Sequence, residues 1–124
     1  MSTVLIVEDN EKNMKLARDV LQAKGYKTLE AVTGEDGVRL AKEKIPDLVL
    51  MDIQLSGING IDAFRQIRSD AKTARIPVIA LTASVTPTDR SAINAAGFDA
   101  FVSKPISLKE FLDTVKRLVD GAKK

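Results

Sequence analysis

Residues 4–10 read Val-Leu-Ile-Val-Glu-Asp-Asn. Four apolar residues in a row, three of them β-branched, are followed directly by two acids. An unbroken apolar run of this length reads as a strand buried on both faces, the kind found inside parallel sheets. Two more runs repeat the pattern. Residues 48–51 are closed by Asp52, and residues 78–81 are followed by Thr82 and Ala83. Weaker runs occupy residues 27–32 and 98–102.

Helical spacing fills the gaps. Met14, Ala17 and Leu21 fall at i, i+3 and i+7, with Leu16 and Val20 widening the stripe; Val38, Ala41 and Ile45 repeat the spacing. Phe64 and Ile67 mark a shorter third helix, and Ala92, Ile93 and Ala96 a fourth. Leu108, Phe111, Leu112, Val115, Leu118 and Val119 make the clearest stripe. Ser107 with Glu110 forms a capping-box signature, and Thr86-Pro87 places a cap before a proline at the first helical position. Gly25, Gly97 and Gly121 stand where stripes end, as C-terminal glycines should. The order is strand–helix repeated five times, which implies an α/β fold with a parallel sheet between two helical layers.

A length of 124 residues suits one domain. Hydrophobic residues at 44% and charged residues at 29% are ordinary for a globular chain and argue against disorder. No apolar run approaches the ~18 residues of a membrane span, and the N-terminus lacks a signal-peptide pattern, so a cytoplasmic protein without membrane association is expected. With 19 basic and 17 acidic residues, only five aromatics and no basic run, nothing favours nucleic acid. There is no Cys and no His. That excludes thiolate nucleophiles, disulfides, Cys-type metal sites and the commonest general base. The remaining Asp, Glu, Lys, Ser and Thr chemistry suits hard cations and phosphate.

Open parallel sheets bind ligands at the carboxyl ends of their strands. The residues just after each run are therefore the candidate site: Glu8 and Asp9, Asp52, Thr82 with Ala83, and Ser103-Lys104-Pro105. Gathering three carboxylates in one cleft costs repulsion, which a divalent cation such as Mg2+ removes. Glu8 and Asp9 alone could simply favour the positive end of the next helix. Asp52 weakens that alternative because it terminates an apolar run. Lys104 adds a positive charge and Thr82 a hydroxyl, though either could be a plain turn lysine or strand-closing threonine. Together they make a phosphate-shaped site with a carboxylate nucleophile. A glycine-rich phosphate loop is missing after the first run, and the acids there have the wrong sign for a pyrophosphate.

Four blocks carry a family resemblance: VLIVEDN at 4–10, LVLMD at 48–52, LTA at 81–83 and SKPI at 103–106. They resemble, in order and spacing over essentially the whole chain, the signature of bacterial response-regulator receiver domains of the stand-alone, single-domain type. The resemblance implies a flavodoxin-like (βα)5 doubly wound fold of five strands, order 2-1-3-4-5, with five helices. It implies that Asp52 accepts a phosphoryl group from a phosphohistidine. Glu8, Asp9, Asp52 and the backbone carbonyl of Gln54 would hold Mg2+. Lys104, Thr82 and the Ala83 amide would contact the phosphate. Thr82 and Phe101 would form the switch, and a cis peptide would join Lys104 to Pro105. Phe101 could equally be core packing. Such a chain would catalyse its own phosphorylation and dephosphorylation without turning over an external substrate.

The expected partners are a sensor histidine kinase or a histidine phosphotransfer protein, and a downstream target on the face of the fourth helix, fifth strand and fifth helix. Arg90, Ala95 and Lys109 are candidate contacts there. The chain would be a monomer, with a dimer on phosphorylation left open. Residues 1–120 would form the receiver and 121–124 a short basic tail, with no output domain. Two departures stand out. Ser56 occupies the position, four after the phosphoacceptor, where the family often has proline, and Phe101 lacks a tyrosine hydroxyl; Gly60, eight residues after Asp52, matches. Asn10 and Asn13 in the first helix resemble receivers of hybrid kinases and cell-cycle regulators. Two other readings use the same residues. One is a pseudo-receiver adaptor that binds partners without phosphorylation. The other is a small aspartate-nucleophile phosphatase, which the absence of an acid at Gln54 disfavours.

Overall fold

The computed structural model describes residues 2–53, 58–82, 91, 93, 95–103 and 107–122. Five strands, β1 (Thr3–Val7), β2 (Lys27–Ala31), β3 (Leu48–Asp52), β4 (Val78–Thr82) and β5 (Ala100–Ser103), alternate with helices α1 (Glu11–Ala23), α2 (Gly34–Lys44), α3 (Gly60–Ser69) and α4 (Leu108–Ala122). All strand pairs are parallel, in the order β2-β1-β3-β4-β5. The fifth expected helix is seen in part: Ser91, Ile93, Ala95 and Ala96 are helical, before Gly97.

The unbroken apolar runs divide by strand alternation. Val4, Ile6, Leu48, Leu50, Ile79 and Leu81 face the side covered by Met14, Ala17 and Leu21 of α1 and Phe111, Val115 and Val119 of α4. Leu5, Val7, Val49, Met51 and Val78 face the side covered by Val38 and Ala41 of α2 and Ala63, Phe64 and Ile67 of α3. Both layers need the run to be apolar at every position, which is why β1, β3 and β4 show no polar alternation. The helices sit close: a Cβ on Gly37 of α2 would come within 2.7 Å of Val7 Cγ2.

Several local expectations shift. Asn10 lies before α1, not in it, and its side chain accepts the Asn13 N–H at 3.1 Å as an N-cap. Thr33 and Asn59 cap α2 and α3 the same way. Leu16 points to solvent at 40% exposure, because the buried stripe of α1 is the narrower Met14–Ala17–Leu21 row. Phe98 precedes β5 and stacks on Phe64 with ring centroids 4.1 Å apart. Gly25 and Gly97 take positive φ as expected, but α4 continues through Gly121 to Ala122. Ser107 stands just before α4 and its carbonyl accepts the Phe111 N–H at 2.9 Å, the first bond of a helix. Thr86-Pro87 lies outside the described residues.

Candidate functional site

β1 and β3 are neighbours with Val7 opposite Met51. The acids after Val7 and the acid that ends β3 therefore leave the same sheet edge side by side. Carboxylate oxygens of Glu8, Asp9 and Asp52 all lie within 4.8 Å of one another. Glu8 and Asp52 are buried, at 1% and 3% exposure, whereas Asp9 is exposed.

The backbone fixes the cluster from two sides. The Glu8 N–H donates to the Ala31 carbonyl of β2 at 2.9 Å. Glu8 Oε2 stands 3.5 Å from the N–H of Asn10, where α1 is capped. Past Asp52, the Ile53 N–H donates to the Leu81 carbonyl at 2.9 Å and the Ile53 carbonyl accepts the Gly60 N–H at 3.0 Å. A Cβ on Gly60 would lie 2.2 Å from the Asp52 carbonyl oxygen and 2.7 Å from Ile53 Cα. Only glycine lets α3 begin this close to the end of β3. In the sequence Gly60 is only a match to a pattern; the packing shows why no side chain fits there.

The remaining candidate residues are placed less completely. Thr82 ends β4 and is buried, 2% exposed. Leu81 pairs with Asp52 in the sheet register, so Thr82 lies one residue further along the same edge. Phe101 lies opposite Ala80 on β5 and is half-buried. Gln54, Ala83, Lys104 and Pro105, with the expected cis peptide and backbone ligand, lie outside the described residues, as does Arg90. Ala95 and Lys109 are exposed. A cleft of about 390 Å³ opens from Glu8 and Asp9 past Met14 and Lys15 to Arg18 and Val32.

The donor set fits a hard divalent cation. Converging carboxylate oxygens are what Mg2+ takes, alongside water and phosphate oxygens, and burial of two of the acids raises the cost of leaving their charge uncompensated. No helix among the described residues is long and apolar enough to cross a membrane.

Residues 4–116 match the response regulator receiver domain family. The polar-differentiation response regulator DivK of Brucella ovis is 43% identical over 120 residues, 97% of this chain and 98% of that protein. The crystal structure of the receiver domain of a sensor histidine kinase from Pseudomonas aeruginosa, with magnesium coordinated in its active-site cleft, superposes with a TM-score of 0.90 at 32% identity, over 96% of this chain and 98% of that one. The receiver domain of a signal-transduction histidine kinase from Syntrophus aciditrophicus gives 0.93 at 30% identity, over 100% and 94%. With an acidic triad at the carboxyl edge of a 2-1-3-4-5 sheet, the chain belongs to the response regulator receiver domain family of two-component signal transduction.

Proposed function

We propose that Asp52 is the phosphoacceptor of this receiver. Its carboxylate oxygen attacks the phosphorus of a phosphohistidine on a sensor kinase or phosphotransfer protein. A P–O bond forms, the P–N bond breaks, and the imidazole nitrogen of the donor keeps the electron pair and takes a proton from water. These 124 residues contain no His, so the phosphohistidine lies outside them, or a small phosphodonor takes its place.

Glu8, Asp9 and Asp52, with the Gln54 carbonyl, would hold Mg2+, which neutralises charge between carboxylates and the incoming phosphoryl oxygens. Asp9, the exposed member of the triad, is the one open to solvent and an arriving ion. Lys104 offsets the added charge as a point cation. In this reading the Thr82 hydroxyl would donate to a phosphoryl oxygen, and the Ala83 N–H would be a second donor to the phosphate. A phosphoryl group adds about −1.5 to −2 charge. That addition biases the segment between Thr82 and β5, where Phe101 responds, and so changes how a cytoplasmic partner reads the face made by the helix before Gly97, β5 and α4. Ala95 and Lys109 on that face are exposed.

One observation carries this reading: three carboxylates, two of them buried, within 4.8 Å at the carboxyl edge. Incubation with acetyl phosphate and Mg2+ is expected to add the mass of one phosphoryl group, and Asp52→Ala to abolish the gain. A gain that persists in Asp52→Ala, or that ignores chelation of Mg2+, overturns the assignment.

A further inference from the structure

The chain that leaves Asp52 returns beneath it at Gly60, and the structure shows what fixes the return. Glu35, in the first turn of α2, accepts the Ile58 N–H on Oε1 at 3.3 Å. Gly34, the first residue of α2, is pressed against the same residue: a Cβ there would lie 2.6 Å from Ile58 Cγ1 and 2.8 Å from the Ile58 carbonyl oxygen. The Ile58 side chain packs on the core beneath α2 and α3. Asn59 then caps α3 by accepting the Asp62 N–H at 2.9 Å. Gly60 meets the Asp52 backbone and donates its N–H to Ile53. Three consecutive residues are thus tied in turn to α2, to α3 and to the acid's own backbone.

We propose that the first turn of α2, through Glu35 and Gly34, positions Asp52 for cation binding and phosphoryl transfer. Glu35 touches no reacting atom. It acts through Ile58 and Gly60, and is a positioning residue. The role rests on the reading of Asp52 as phosphoacceptor. It gains weight from Ser56, which brings none of the φ restriction a proline would impose. The contacts of residue 58 with Glu35 and Gly34 supply a restraint that such a proline does not provide here. Groups hydrogen-bonded directly to a metal ligand commonly change metal affinity or activity about 10–100-fold when removed. Glu35 acts one link further out, so an effect no larger than the low end of that range is expected.

The test uses the full chain as wild type, Glu35→Ala, Glu35→Gln, Gly34→Ala and the control Glu43→Ala. Glu43 is an exposed acid near the other end of α2, paired with Arg39. Amide exchange at Gly60 is measured without any ion, Mg2+ is titrated by NMR, and uptake of a phosphoryl group from acetyl phosphate is checked on the wild type. Glu35→Ala is expected to speed Gly60 exchange and raise the Mg2+ half-saturation concentration about tenfold. Glu35→Gln keeps an acceptor at the same atom and should stay within about threefold of wild type, and Glu43→Ala should not differ from it. Gly34→Ala, which forces Ile58 aside, should move both readouts in the direction of Glu35→Ala. The proposal is overturned if Glu35→Ala matches Glu43→Ala, if Glu35→Gln is as impaired as Glu35→Ala, or if Gly34→Ala binds Mg2+ like wild type. Should the wild type take up no phosphate at Asp52, the functional reading fails separately, while Gly60 exchange and the Mg2+ titration still decide the positioning role.

Discussion

The two edges of the sheet use the same side chain for opposite ends. At the amino edge, Asp47 precedes β3 and Asp99 precedes β5. Each exchanges two hydrogen bonds with the first residue of the neighbouring strand. The Asp47 N–H donates to the Thr3 carbonyl at 2.8 Å, and its Oδ2 accepts the Thr3 N–H at 2.7 Å. The Asp99 N–H donates to the Val78 carbonyl at 3.0 Å, and its Oδ2 accepts the Val78 N–H at 2.8 Å. These acids satisfy strand-end donors that would otherwise be orphaned. At the carboxyl edge, Glu8, Asp9 and Asp52 bring carboxylate oxygens within 4.8 Å of one another. Carboxylates stabilise the sheet where it begins and repel where it ends, so the acidic site is carried by a scaffold anchored at the other edge.

The largest expected effect is at Asp99. It also binds Arg68, whose guanidinium reaches the Ala74 and Ile76 carbonyls and lies 4.9 Å over the Phe64 ring. Asp99→Ala orphans the Val78 N–H and leaves Arg68, only 25% exposed, without its counter-ion. A loss of about 2–3 kcal/mol in urea unfolding is expected, with acetyl phosphate labelling retained in the folded protein. A loss under about 0.5 kcal/mol would reduce this contact to an ordinary surface pair and break the contrast between edges.

Asp52→Asn should do the reverse. Like charges gathered within 4.8 Å repel by a few kcal/mol (roughly 3) at an effective dielectric of about 20, less where solvent reaches Asp9 and where other groups offset the charge. In Mg2+-free buffer the variant is expected to gain about 1–2 kcal/mol. Mg2+ should then raise the melting temperature of wild type and not that of the variant, since only a ligand of the folded state stabilises it. A variant less stable than wild type without Mg2+ would show that the cluster is structural, like the amino edge. Asp47→Ala, which orphans the Thr3 N–H, is expected to cost about 1 kcal/mol in the same unfolding assay. A neutral outcome would confine the amino-edge effect to the Arg68 neighbourhood.

The strands were legible because both faces of β1, β3 and β4 are covered, leaving apolar runs that admit little else. The clustered acids were legible because they stand within two residues of the ends of such runs, and parallel strands deliver their ends to one edge. The amino-edge knots were not. Asp47 and Asp99 are ordinary loop acids in sequence, and Arg68 reads as the polar face of a helix. Their partners lie 44 and 31 positions away and appear only once the register is set. Gly34 was hidden similarly, since its close approach to Ile58 is a property of packing. Leu16 misled because an apolar residue beside a stripe looks like a wider stripe. Ile45 read as the last residue of a stripe. It instead ends α2 at φ 44°, exposed and left-handed, where β-branched residues are strained.

The smallest effect tests whether every amino-edge acid stabilises. Tyr26, just before β2, lines a groove of about 570 Å³ with Asp113 and Asp120 of α4. Burial, and then the charge of Asp120, hold its phenol above the ordinary value of 10.0. The folded state therefore keeps the proton to higher pH than the unfolded chain. The stability this group contributes is intact below pH 10.0, and it falls as pH rises from there through the folded value. Asp120 here opposes an ionisation rather than filling a backbone donor, so it acts only in alkali. With one tyrosine and no tryptophan in the sequence, ultraviolet absorbance titrates Tyr26 alone. Asp120→Asn should lower the midpoint towards 10.0 without reaching it, because burial is the larger cause, and leave neutral-pH stability unchanged. A midpoint that does not move removes Asp120 from the cause. A loss of neutral-pH stability would instead place it with Asp47 and Asp99 among the acids that hold the sheet.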